Sequence, residues 1–127
     1  MPAPHLLHGK AAETLAARHL IDQGLQLLAT NFRARTGELD LILLDGHTLV
    51  VAEVRARRDP ARVRPAATVD AFKQRRLISA TRYFILRHRQ FASRPVRFDV
   101  VEVEGEIEAA VIRWHRAAFS VDDVAGR

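Results

Sequence analysis

Gly37-Glu38-Leu39-Asp40-Leu41-Ile42 and, after a short turn, Val50-Val51-Ala52-Glu53-Val54-Arg55 are apolar enough to be neighbouring strands. Each nevertheless carries an acid where a strand normally holds a hydrophobe. Burying a carboxylate costs several kcal/mol unless something pairs with it. Two such costs on adjacent strands point to acids placed to bind something, and a divalent cation is the first candidate.

The turn sets the geometry. Asp45-Gly46 is a strong hairpin signal, because the tight turns that join strands need positive φ. With these two residues as the loop, Leu43 faces Thr48, Asp40 faces Val51 and Glu38 faces Glu53. Side chains alternate along a strand. Asp40, Glu53 and Arg55 then project from one face, and Leu39, Leu41, Val50, Ala52 and Val54 from the other. Asp40 and Glu53 become diagonal neighbours, roughly 7–8 Å apart at the backbone, close enough for both to reach one ion. A loop longer by one residue puts the two acids on opposite faces.

The 127 residues suit a single domain, 1–127, with 1–5 and 120–127 as flexible ends. A content of 48% apolar and 28% charged residues is that of a soluble globular protein, and no apolar run is long enough to span a bilayer. Met1-Pro2-Ala3-Pro4-His5 lacks the pattern of a signal peptide, and there is no cysteine. Together these give a cytoplasmic expectation and exclude disulfides and thiolate metal sites. The net charge is +5, and only Lys10 and Lys73 of the 20 basic residues are lysine. Arginine matches phosphate geometry in bidentate fashion, so nucleic acid is the expected partner. A homodimer is compatible with the sequence, which does not fix the oligomeric state.

Helical spacing runs from His8 to Gln23 with Gly24 as a stop, and Leu25–Arg35 reads as a strand. The hairpin pairs Glu38–Asp45 with Thr48–Arg57. Residues 58–67 are a loop, and Thr68 or Asp70 caps a second helix reaching Arg89. Pro95–Glu104 and Ile107–His115 are the last strands. The order is α-β-β-β-α-β-β. The first three strands form a meander, and the second helix is a crossover that allows a parallel return. The expected fold class is α/β, one central mixed β-sheet flanked by α-helices.

Other residues join the acids with differing force. Glu13 borders the apolar stripe of the first helix; alone it reads as a solvated glutamate, and it matters only if that helix edge faces Asp40 and Glu53. Arg55 either neutralises the acids or stabilises charge on a phosphate. Lys73 starts a helical stripe with Leu77, Ala80 and Phe84, which directs it toward the sheet. Arg57, Arg58, Arg62 and Arg64 follow the acid-bearing strand, as a solvated loop or as a phosphate-gripping, nucleic-acid-binding one. The six histidines show no metal-ligand spacing. No glycine-rich phosphate loop and no serine–histidine–acid set is present.

Several motifs together resemble the YraN-like family of small bacterial proteins. They are Gly9-Lys10-Ala11-Ala12-Glu13, Asn31-Phe32-Arg33, Gly37–Ile42, Glu53-Val54-Arg55-Ala56-Arg57, Lys73, Arg97-Phe98-Asp99-Val100-Val101 and Ala118-Phe119. That family is similar to the restriction-endonuclease-like PD-(D/E)xK superfamily and to archaeal Holliday-junction resolvases. The resemblance implies a restriction-endonuclease-like fold and Mg²⁺- or Mn²⁺-dependent cleavage of DNA, branched or junction structures included. Glu13, Asp40 and Glu53 would be metal ligands, and Arg55 would stand where the superfamily has lysine. Arginine stays charged and cannot act as a base, which leaves Lys73 as the source of an amine. A nucleic-acid-binding protein without turnover and a protein-interaction module are the alternatives.

Overall fold

The computed structural model describes residues 4–57 and 69–121, with side chains from residue 9 onward. Helix α1 (Pro4–Asp22) leads into β1 (Gln26–Ala34), β2 (Gly37–Asp45) and β3 (Thr48–Arg57); helix α2 (Ala71–Arg87) leads into β4 (Val96–Glu104) and β5 (Val111–Phe119). Among the described residues the strands form one sheet in the order β1-β2-β3-β4-β5. The β3–β4 pair is parallel and the other pairs are antiparallel. This is the expected α-β-β-β-α-β-β order and a restriction-endonuclease-like topology.

Each helix covers one face. Ala12, Ala16, Ala17 and Leu20 of α1 pack on Leu41, Leu43, Val50, Ala52, Val101 and Val103. The three alanines let the helix approach the sheet closely. Leu77, Ile78, Ala80 and Phe84 of α2 pack on Leu39, Ile42, Leu49, Val51, Phe98 and Val100. Residues 49–53 of β3 are all buried, because this strand lies at the centre under both helices.

Both helices end on local signals. After α1, Gly24 adopts φ +100°, and the Leu25 N–H donates to the Leu20 carbonyl at 3.1 Å. Asp70 caps α2, accepting from the Lys73 N–H at 2.8 Å. Asp70→Ala is expected to cost about 1 kcal/mol in urea unfolding, and the loss should fall on the helix that carries Lys73.

Several boundaries differ from expectation. Pro4 and His5, read as tail, are helical. The second helix stops at Arg87, and Arg89–Phe91 form a separate 3₁₀ turn. Ile107–Ala109, expected in the last strand, also form a 3₁₀ turn, and that strand runs on to Phe119. Phe119 stacks on Phe98 at 4.6 Å, and Val121 packs against the α2-side core rather than fraying. Near its end β5 bulges at Ala117, whose φ is +53° and whose N–H donates to Asp99 at 3.0 Å. Buried Asp99 also accepts from Trp114 Nε1 and from both Nε and Nη2 of Arg97. The Arg97–Asp99 motif is therefore a structural lock. The expected loop at 58–67 and the ends 1–3 and 122–127 lie outside the described residues.

The hairpin turn is also shifted. Asp45 pairs with Thr48, so the loop is Gly46-His47 rather than Asp45-Gly46. Gly46 alone has positive φ (+58°), the pattern of a type II′ turn. Arg97 holds Asp45 in the strand through a 2.9 Å ion pair.

Candidate functional site

The shifted turn moves the β2–β3 register by two residues, which preserves the faces but changes the partners. Leu41 pairs with Ala52, and one further step sets Asp40 directly across from Glu53 instead of Val51. The pairing itself stops at Leu41 and Ala52. Beyond that point β2 stays bonded to β1 as far as Gly37, and β3 stays bonded to β4 as far as Arg57. The sheet therefore opens a notch between two strands that remain secured on their outer sides. Asp40 sits at its apex, where Oδ2 accepts from the Val54 N–H at 2.9 Å. Alternation breaks at the same place. Leu39 joins the α2-side core, whereas Leu41 and Leu43 join the α1-side core, so Leu39 is not on the face expected for it.

A cavity of about 380 Å³ occupies this notch. Glu13 reaches it from α1, Glu38 and Asp40 from β2, Glu53 from β3, and Lys73 and Arg76 from α2. The edge of α1 does face the acids, so Glu13 is not a detached surface residue. Lys73 makes an ion pair with Glu53, its Nζ meeting Oε2. Glu53 is buried, while Lys73 is 51% exposed and can move. The close approach of α2 depends on Gly37: a Cβ there would lie 3.2 Å from the Arg76 carbonyl oxygen. Arg76 Nε also donates to the Thr36 carbonyl at 2.9 Å, fastening the helix to the β1–β2 turn.

The electrostatics are strained. Burial pushes the Asp40 carboxyl up to about 8, and the Glu53 charge adds to the shift. The Val54 N–H opposes it, while a hydrogen bond with the Glu53 side chain and the Glu13 charge push it further up. Asp40 therefore keeps its proton near neutrality. Among the described residues, no three His, Cys, Asp or Glu side chains are gathered closely enough to hold one metal ion. Asp40 and Glu53 are the two carboxylates that could hold a cation together, and the Glu13 charge acts on Asp40.

Other expected residues lie elsewhere. Arg55 does not line the cavity and is in register with Glu102 of β4. Arg57 donates to Glu102 at 2.9 Å, and His115 Nε2 lies 3.0 Å from the other oxygen of the same carboxylate. Arg57 is thus engaged with an acid that is 1% exposed. Arg58, Arg62 and Arg64 lie outside the described residues. Glu102 and Arg76 escape a reading by pattern. Val101-Glu102-Val103-Glu104 alternates like a strand with one wet face, and only the interior position of β4, between β3 and β5, and the burial of Glu102 reveal that both faces are covered.

Comparison with known proteins agrees over most of the chain. The model of the uncharacterised protein family UPF0102 matches residues 12–103. A UPF0102 protein of Stutzerimonas stutzeri is 46% identical over 111 residues, 87% of this chain and 92% of that protein. One from Xanthomonas campestris pv. campestris is 45% identical over 123 residues, 97% of this chain and 99% of its own. The matched range contains Glu13, Asp40, Glu53 and Lys73 together with β1, β2, β3 and β4 as far as Val103. The chain belongs to the uncharacterised protein family UPF0102.

Proposed function

We propose that this protein is a divalent-metal-dependent nuclease that hydrolyses phosphodiester bonds in DNA, with branched or junction structures among its substrates. The observation that carries this reading is the convergence of Glu13, Asp40, Glu53 and Lys73 on one open cavity at the notch between β2 and β3. An acid on the first helix, one on the second strand and one on the third is also the arrangement that a resemblance to PD-(D/E)xK nucleases implies.

The residues fit a hard cation. Asp40 and Glu53 would hold Mg²⁺ or Mn²⁺, with Glu13 contributing through water, since oxygen-only donors favour these ions over zinc. A buried Asp40 carboxyl whose ionisation is opposed by burial and by the neighbouring Glu53 charge gains most from such an ion. When bound, it would polarise the phosphate and lower the pKa of an attacking water. The protein's own contribution is positional. The Val54 N–H fixes Asp40, and β3 fixes Glu53 against the core. Lys73 sits where its ammonium can leave Glu53 and meet a phosphate oxygen.

A second reading, nucleic-acid binding without turnover, is favoured by the position of Arg55 outside the cavity lining. The two separate on metal. Calorimetric titration should show Mn²⁺ binding that weakens at least about tenfold (~1.4 kcal/mol) in Glu53→Gln. Cleavage of a branched DNA should appear with Mn²⁺ and be absent from an Asp40→Asn preparation. Equal Mn²⁺ binding by wild type and Glu53→Gln, with cleavage no greater than that blank, removes the enzyme.

A further inference from the structure

Helix α2 has a second face that the cavity does not use. Its buried side, Leu77, Ile78, Ala80, Thr81 and Phe84, is spent on the sheet. The opposite side exposes Phe72 at 63%, Tyr83 at 40% and Leu86 at 65%. The helix carries Lys73, Arg75, Arg76, Arg82 and Arg87 and no acid. These five cations equal the net charge of the whole chain, +5. At 100° per residue Phe72, Arg76, Tyr83 and Arg87 fall on one stripe.

The rings on this stripe are held in place. Tyr83 leans on Phe32 at 6.0 Å, and Phe32 in turn meets Phe84 of the core edge-on at 5.1 Å. Arg87 lies 5.7 Å from the Tyr83 ring centroid, and its Nη1 donates to the Tyr83 hydroxyl at 2.8 Å. Arg76 lies 5.8 Å from the Phe72 ring while fastened to Thr36. By helical rise the two rings are roughly 16 Å apart, far enough for separate bases. Lys73 and Arg76 belong to both the stripe's helix and the cavity wall, so the stripe leads directly into the site.

We propose that this face of α2 is a stacking platform for single-stranded nucleic acid, guiding an unpaired strand toward the Asp40–Glu53 cavity. The proposal rests on the nuclease reading for what happens at the end of that path, but not for the binding itself. Flat aromatic faces interleaved with arginines suit bases and phosphates in alternation. Charge opposes the other occupants. A second copy of α2 would bring the same acid-free array of cations. A lipid surface needs a broad apolar face to insert; that face of α2 is buried against the sheet, and the exposed side offers only Phe72, Tyr83 and Leu86 among its arginines.

The test uses leucine rather than alanine, because leucine keeps apolar bulk and helix propensity but removes the ring. Binding of a fluorescein-labelled oligothymidylate is measured by anisotropy in EDTA, beside a duplex and phosphatidylserine vesicles. Phe72→Leu/Tyr83→Leu is expected to weaken single-strand binding at least about tenfold while leaving duplex affinity and the salt slope unchanged. Arg75→Gln/Arg82→Gln is expected to flatten the slope of log affinity against log salt by about 1.4 units. Full single-strand affinity in the leucine variant overturns the proposal, as does an equal loss on the duplex. So does vesicle binding that survives the leucine changes in a protein that ignores the oligonucleotide. If the platform behaves as expected but wild type cleaves no better than Asp40→Asn, the nuclease reading falls and the platform stands. Cleavage above that blank with full binding by the leucine variant does the reverse.

Discussion

Lys73→Met is expected to lower Mn²⁺-dependent DNA cleavage by about 10²–10³-fold, the usual effect of losing one preorganised charge-stabilising group. Arg55→Lys is expected to leave it unchanged. The contrast follows from placement. Lys73 lines the cavity and pairs with Glu53, whereas Arg55 stands in register with Glu102 and outside the lining. The lysine that a PD-(D/E)xK pattern carries two residues after its third-strand acid would then be replaced from another element, the first turn of α2. The comparison needs nuclease-free preparations, Asp40→Asn as the blank, and circular dichroism to show that Lys73→Met is folded. A large loss in Arg55→Ala with full activity in Lys73→Met would return the role to the strand.

That placement marks where sequence reasoning succeeds and where it stops. Asp40 and Glu53 were legible because acids in apolar strands break the period of two, and the parity of the hairpin puts them on one face. The same parity survived a turn that was misplaced. Gly46-His47 replaced Asp45-Gly46, a shift of two residues, which changes partners but not faces. The pattern did not contain the ion pair from Arg97 that keeps Asp45 in the strand, since that residue lies 52 positions away. Helical phase placed Glu13 at the border of a stripe and Lys73 at the start of one, but phase does not say how a helix is seated on a sheet. Gly37 carries that information only in three dimensions, as the gap that lets α2 approach. The notch itself has no sequence signature: β2 and β3 read as continuous strands, and their pairing fails only where Asp40 takes the Val54 N–H. Glu102 was missed for a related reason. An alternating strand looks one-sided until its neighbours in the sheet are known.

Asp40→Asn should stabilise the protein, and increasingly so as pH rises. In the native state Asp40 titrates near 8, against 3.8 in the absence of the fold. Below about pH 4 both states are protonated and the carboxyl has no differential effect. Between 4 and 8 the unfolded chain releases a proton that the native state keeps, so wild-type stability falls as pH rises, by at most about 1.4 kcal/mol per unit. Above 8 the loss is complete and level. Asparagine is a close isostere of the protonated acid. Its carbonyl can accept from Val54, and its amide can donate to Glu53, without any proton to lose. The variant's Tm should therefore match wild type near pH 4 and exceed it by more than about 5 °C at pH 8, measured by calorimetry without metal. Mn²⁺ at pH 8 should narrow that gap by raising the wild-type Tm alone, because a cation that binds the two carboxylates stabilises only the state that presents them. A gap independent of pH would mean that Asp40 is ionised across the range, and that Glu53 and Glu13 impose no cost on it. A pH-dependent gap that Mn²⁺ leaves untouched would keep the strained carboxyl pair and remove the cation from it.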